Sequence, residues 1–300
     1  MPVIGYLGTT TPEASGFRIP AIRQGLSEAG FVEGRNVAIE YRWAEGKLER
    51  LPALAAELVR RGVNVIVTPG SLPATLAAKA ATTTIPIVFE TGADPVASRL
   101  VASLQRPGGN VTGVTTLNFE LVPKRLELLN ELVPKATIVG HLINPAIPAA
   151  GGMIKALEAA AQSRRLQVHV LPVATERDID AAFATLVKAR AGGLVISPDP
   201  FINTRLERLA QLSLRHSLPA IAQNREFVAA GGIAGYGGSV LDSYRLVGVH
   251  IARLLKGEKP SELPVLQATK IELFINLKTA KALGVSVPPA VLARADEIVG

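Results

Sequence analysis

The chain has no cysteine. That excludes disulfides, thiolate nucleophiles and cysteine-ligated zinc or iron–sulfur centres. Histidine is sparse: His141, His169, His216 and His250 show neither HxH nor HExxH spacing, so neither a metal nor a cofactor is expected. Aromatic residues make up 4% of the chain and charged residues 19%. No apolar run reaches the roughly 18 residues of a membrane span. No secretory leader is visible, because Met1-Pro2 leads directly into the first strand. The expectation is a cytoplasmic protein, or a mature form whose leader was removed and replaced by a start methionine. GxSxG, a P-loop and a strand-linked GxGxxG are all missing, and the dispersed carboxylates form no acid–base pair, so the chain is not expected to be an enzyme.

What is present is apolar and regular. Of 300 residues, 48% are hydrophobic, enough for one large core or two ordinary ones. The net charge of +7 raises the question of a nucleic-acid partner. The basic residues are dispersed, however. Pairs such as Arg60–Arg61 and Arg164–Arg165 fall late in predicted helices, where cations complement the helix dipole. No basic run is interleaved with aromatics, so no nucleic acid is expected.

The chain is written twice. Residues 3–96 and 137–230 each read strand, helix, strand, helix, strand, helix, strand. VIGYLG at 3–8 matches TIVGHLIN at 137–144, and VAIEY at 37–41 matches QVHVL at 167–171. VNVIVTPGS at 63–71 matches GGLVISPDP at 192–200, and IPIVF at 85–89 matches LPAIAQ at 218–223. Alternating units of this length predict an α/β fold of two doubly wound parallel-sheet lobes with right-handed crossovers. NVTGVTT at 110–116 is read as the end of the first lobe and GGIAGYGG at 231–238 as the return to it. A third crossing is placed near LPVLQAT at 263–269. Lobe one is thus 1–116 plus 238–264, lobe two is 117–237 plus 265–300, and a ligand cleft between them closes about a three-segment hinge. Gly62 is read as a helix C-cap, and Asp242 or Ser243 as the N-cap of a helix reaching Leu255. The terminal segment is read as one strand and two helices.

GFVEGRNVAIEYRWAEG, LPALAAELV, ATTTIPIVF, RPGGNVTGVT, KRLELLNELVP, NREFVAAGG and NLKTAKALGVSVPPAVLARADE carry a resemblance in the right order over essentially the whole chain. They resemble the substrate-binding components of ABC transporters in the tryptophan/tyrosine-type group with the type-I periplasmic binding fold. The resemblance implies a bacterial lipoprotein or secreted precursor, hence a periplasmic or membrane-anchored location, and a partner permease and ATPase. It also implies capture of a small molecule such as an amino acid, aromatic in the better-studied relatives. The protein is expected to act as a monomer. The other reading is the effector domain of a lactose-repressor-type regulator, which requires a DNA-binding head before the first strand.

Ligands of open parallel sheets sit beyond the carboxyl ends of the strands. In lobe one that rule selects Thr9, Thr10, Trp43, Ser71, Thr91 and Asp94; in lobe two, Asn144, Asp199 and Asn224. The segment 115–118, with Thr115 and Asn118, and Tyr236 are expected to floor the cleft. Ser71 stands at a helix start and can hold a carboxylate or cap its own helix. Asp199 is the favoured partner for a ligand ammonium, and Asp94 reads better as a cap. Asn144 also fits an Asx turn. Trp43 and Tyr236 can stack on a flat ligand, with packing against the second helix as the alternative for Trp43. Arg225 is expected to pair with Glu226 or another acid. A helix start at Ser71 matched by a carboxylate at Asp199 suggests a zwitterion.

Overall fold

Short apolar runs without alternation are what a parallel strand covered on both faces needs. VIVT and IVFET are such runs, and every residue in them is buried. In the computed structural model the first repeat comprises β1 (Val3–Gly8), α1 (Arg18–Glu28), β2 (Ala38–Trp43), α2 (Leu51–Arg61), β3 (Val65–Thr68), α3 (Leu72–Ala81), β4 (Ile87–Thr91) and β5 (Val111–Thr115). The second comprises α4 (Val122–Leu132), β6 (Ile138–Ile143), α5 (Ala150–Gln162), β7 (Gln167–Pro172), α6 (Glu176–Lys188) and β8 (Gly193–Ile196). It continues with α7 (Pro200–Asn203), α8 (Leu206–Arg215), β9 (Ala220–Ala222), α9 (Arg225–Ala229) and β10 (Ala234–Gly238). The remainder is α10 (Val240–Leu255), β11 (Leu266–Gln267), β12 (Ile271–Asn276), α11 (Leu277–Ala282), α12 (Pro289–Leu292) and β13 (Glu297–Val299). The structure describes residues 1–16, 18–116, 118–147 and 149–300, with Pro200 described by its backbone alone.

Two compact units result: Met1–Leu117 with Ser239–Lys270, and Asn118–Gly238 with Ile271–Gly300. The sheet of the first has the order β11-β5-β4-β3-β1-β2; that of the second is β13-β12-β10-β9-β8-β6-β7. The shared run of five strands holds the four-strand doubled pattern of the sequence, with β5 and β10 as the fifth strand in each sheet. Three details differ from the sequence reading. The third crossing falls at 270/271, because Leu266 and Gln267 pair with Val114 and Thr115 at the edge of the first sheet. Segment 231–238 does not return to the first unit; β10 stays in the second sheet, parallel to β9. The terminal segment adds two strands, and β12 runs antiparallel to β10, so the second sheet is mixed.

Each sheet is covered on both faces. In the first, Ile4, Tyr6, Val65, Val67, Val88 and Val114 face α1 and α10. The alternate residues Leu7, Ile66, Ile87 and Phe89 face α2 and α3. Gly62 ends α2 in the left-handed conformation at φ 69°, as its position predicts. Helix α10 begins earlier than expected: Ser239, not Asp242 or Ser243, caps it, and Asp242 lies in the first turn.

Helices α1 and α10 touch backbone to backbone. A methyl group on Gly25 would strike the Arg245 carbonyl, and one on Gly248 would strike the Ile22 carbonyl. Overpacking that rigid backbone costs roughly 1–3 kcal/mol or more. Gly248→Ala is therefore expected to lower the urea midpoint, whereas Gly151→Ala, in open space on α5, is expected to hold or raise it. Equal midpoints for the two variants in urea unfolding followed by circular dichroism would contradict this packing.

Candidate functional site

The carboxyl end of the first sheet carries an aromatic wall. In the parallel register Tyr6 lies opposite Tyr41 and Gly8 opposite Trp43, so alternate residues of β1 and β2 share one face. The Tyr6 ring lies 4.8 Å from Trp43 and 5.4 Å from Tyr41, and Tyr41 and Trp43 stack at 5.9 Å and 3°. Gly8 makes room for this: a Cβ there would come within 2.5 Å of the indole. Trp43 is the last residue of β2, not part of the loop beyond it, and it packs on the α1 face rather than against α2.

Beside that wall lies a charged cluster that sequence reasoning missed. Glu90 on β4 shares the face of Val88 and is 6% exposed. Its carboxyl lies beside the Tyr244 hydroxyl, which donates to it, and its backbone carbonyl accepts the Gly70 amide at 3.1 Å. Burial raises its pKa to about 7, against the opposing pull of Arg18. Arg18, the first residue of α1, holds its guanidinium carbon 5.7 Å from the Tyr244 ring centroid. An arginine side chain keeps its proton far above neutral pH, so Arg18 remains charged here, with the Glu90 carboxyl and the Tyr6 hydroxyl beside it. Burial holds the Tyr6 and Tyr244 hydroxyls above their ordinary range. Two sequence signals could have found the cluster. An acid interrupts the apolar strand IVFET, and an arginine opens a helix, where the dipole disfavours a cation.

The predicted residues of the first unit gather at the same sheet end. Ser71 caps α3, its hydroxyl accepting from the Ala74 amide at 3.1 Å. Gly70, just before it, faces Arg18 and the Tyr244 hydroxyl: a Cβ there would lie 2.8 Å from that hydroxyl and 3.6 Å from the guanidinium. Asp94 accepts from the Val96 and Ala97 amides, but residues 95–99 form a turn and not a helix, so it ties a turn instead of capping a helix. The Thr91 hydroxyl accepts from the Ala93 amide, Thr115 donates to the Ala93 carbonyl at 3.4 Å, and Thr10 shares a 2.8 Å hydrogen bond with Ser15. Thr9 accepts the Gly46 amide through its carbonyl.

In the second unit the candidates are bound into local structure. Asn144 forms the Asx turn through Ala146 and donates to Asp199 at 3.1 Å. Asp199, 3% exposed, also accepts the Ile202 amide. Its two oxygens thus have one partner each, and a carboxylate can accept about four. Asn224 precedes α9 with a buried side-chain oxygen that has no hydrogen-bond partner among the described residues. Asn118 holds the Gly238 amide at 2.9 Å and the Arg125 guanidinium at 3.3 Å, and Leu117 beside it lies outside the described residues. Fully buried Arg125 donates to the carbonyls of Tyr236 and Asn118 at 2.6 and 3.0 Å. Burial lowers its pKa to about 9, which still leaves it charged at neutral pH. These bonds give Asn118 and the Tyr236 backbone a structural task. Arg225 pairs with Glu297 through two bonds of 2.6 and 2.7 Å, not with Glu226. No group of three or more metal-type side chains occurs among the described residues.

Two doubly wound lobes with polar and aromatic groups at their strand ends define a solute-binding fold. The family model for ABC transporter substrate binding proteins matches residues 17–299, and the chain belongs to that family. Membership favours transport over the regulator reading. A tyrosine-binding protein of Clostridioides difficile is 28% identical over 261 residues, 86% of this chain and 74% of its own. The ABC domain in complex with L-Trp from Streptococcus pneumoniae superposes with a TM-score of 0.89 at 25% identity over 99% of both chains. A conserved domain protein from Vibrio cholerae gives the same score at 26% identity over 99% of both chains.

One buried base ties the second unit to pH. His141 and Ser197 share a 2.6 Å hydrogen bond, and burial lowers the pKa of His141 to about 4. A base whose pKa is lower when folded binds its proton preferentially in the unfolded chain. The unit is therefore expected to keep full stability above about pH 6.5 and to lose it as pH falls toward 4. The drop approaches 1.4 kcal/mol per pH unit. Denaturant unfolding at several pH values checks this, and His141→Gln should flatten the profile; an unchanged slope in that variant assigns the loss to other groups.

Proposed function

We propose that this substrate-binding protein captures an amino acid, with aromatic side chains preferred, and delivers it to a membrane permease driven by an ATPase. The observation that carries the reading is one tyrosine serving two groups. Half-buried Trp43 packs against the buried Tyr6 ring, whose hydroxyl lies beside the Arg18 guanidinium, so a partly open indole and a fixed cation adjoin. An aromatic amino acid presents that same pair, a ring and a carboxylate. The ligands named for the Clostridioides difficile and Streptococcus pneumoniae relatives, tyrosine and tryptophan, support it. Ser71 and the first amides of α3 add donors for the carboxylate, and Asp199 with Asn144 receives the ammonium. Binding needs no covalent step. The protein works outside the cytoplasmic membrane, as a monomer, tethered or free.

Ligands that bind only the folded state raise its stability by about 2.7 kcal/mol at a hundred times the dissociation constant. L-tryptophan or L-tyrosine is therefore expected to raise the melting temperature, and ribose is not. Ser71→Ala and Asp199→Ala should each weaken binding about tenfold, a loss of roughly 1.4 kcal/mol. Stabilisation by a sugar but by no amino acid would sink the ligand class. Unchanged affinity in both variants would sink the two-pole arrangement.

A further inference from the structure

Glu90 is a buried acid with no part in the family fold's covering layers. Its immediate neighbours decide what it can do. From β1 comes Tyr6, from α1 Arg18, and from α10 Tyr244. The flanking strands β3 and β5 read VIVT and VTGVT and carry no titratable side chain. The one charge of α3, Lys79, is held by the carbonyls of Arg99 and Leu100. Arg18 is thus the single permanent charge in the cluster. Glu90 and Tyr244 are buried, while Arg18 and Gly70 keep part of their surface open. The guanidinium stands at the Gly70–Ser71 turn, where the donors of α3 begin.

We propose that Arg18 and Glu90 form a proton-coupled specificity pair: Arg18 receives the carboxylate of the ligand, and Glu90 takes up a proton as that carboxylate arrives. The inference rests on the amino-acid reading and deepens it. A second carboxylate beside a cation competes with the first for the same charge, and like charges at short range disfavour joint ionisation. One of the two acids must then hold a proton. The ligand's carboxylate is exposed to water before binding and strongly acidic, so the proton goes to the buried side chain. The tyrosines cannot supply or store it at neutral pH, since burial keeps both hydroxyls protonated. Burial also places the Glu90 carboxyl near 7, where the transfer falls in the working range. The sign follows from linkage: binding that takes up a proton weakens as pH rises, by up to tenfold per unit above the pKa of the free protein.

Calorimetric titration of the full chain with L-tryptophan tests this, in two buffers of unlike ionisation heat, at about pH 6 and about pH 8.5. The expected result is roughly thirtyfold weaker binding at the higher pH, with close to one proton taken up per ligand there and little at the lower. Glu90→Gln should make affinity flat with pH and abolish the uptake. Arg18→Met should weaken indole-3-propionate, which has the carboxylate alone, far more than tryptamine, which has the ammonium alone. Should Glu90→Gln fail to fold, the proton count of the unaltered protein decides. Binding of L-tryptophan with no pH dependence and no proton uptake overturns the pair and leaves the amino-acid reading intact. An unaltered protein that binds neither L-tryptophan nor L-tyrosine at either pH overturns the ligand class, and the pair with it.

Discussion

The backbone contact between α1 and α10 is the constraint on which the first unit depends. Gly25 and Gly248 let two helices more than two hundred residues apart in sequence meet without side chains between them. Close approach fixes the azimuth of each helix, not only its distance. That azimuth sends Tyr244 from α10 toward Glu90 and sets Arg18, at the start of α1, beside it. Without α10 the α1 face of the first sheet would lose Val247, Ile251 and Tyr244, and Glu90 would lose a hydrogen-bond donor. Packing and electrostatics at this sheet end are therefore one problem: the interhelical distance sets the dielectric in which the carboxyl sits.

Much of the architecture was legible because parallel strands speak plainly. Residues 3–8, 65–68 and 193–196 are apolar on both faces, and no helix or exposed strand would use such runs. What was harder to read depends on partners remote in sequence. The last crossing moves to 270 because Leu266 and Gln267 find an edge on β5. Asp242 looks like a cap, yet Ser239 takes that role because the helix begins at Val240. The candidate residues were placed by a sound rule, since strand ends do gather them, but the rule reads position and not occupancy. Asn118, Asn144 and Asp94 stand where it puts them and are engaged in turns and with a buried arginine. Arg18, Glu90 and Tyr244 come from three elements joined only by tertiary packing, which no local pattern reports.

The two units solve the burial of charge in different ways. In the second, Arg125 is surrounded by neutral oxygens: two carbonyls and the Asn118 amide. It has no carboxylate to share and no proton to exchange near neutrality, so its role is to hold the chain of β10 against the start of α4. His141 is likewise kept neutral, with only the Ser197 hydroxyl at its Nε2. In the first unit a half-buried cation, Arg18, lies near a buried carboxyl whose ionisation is balanced near neutral pH. One arrangement is rigid against pH through the neutral range, and the other is poised within it.

That contrast bears on how a doubled fold acquires a direction. β4 and β9 occupy the same place in their sheets, yet β4 ends in Glu-Thr and β9 in apolar residues followed by Gln223 and Asn224. Duplicated topology alone would offer a ligand the same groups twice. The strand ends of the two units carry unlike groups, a cation beside α3 in the first and carboxylate oxygens on Asp199 in the second.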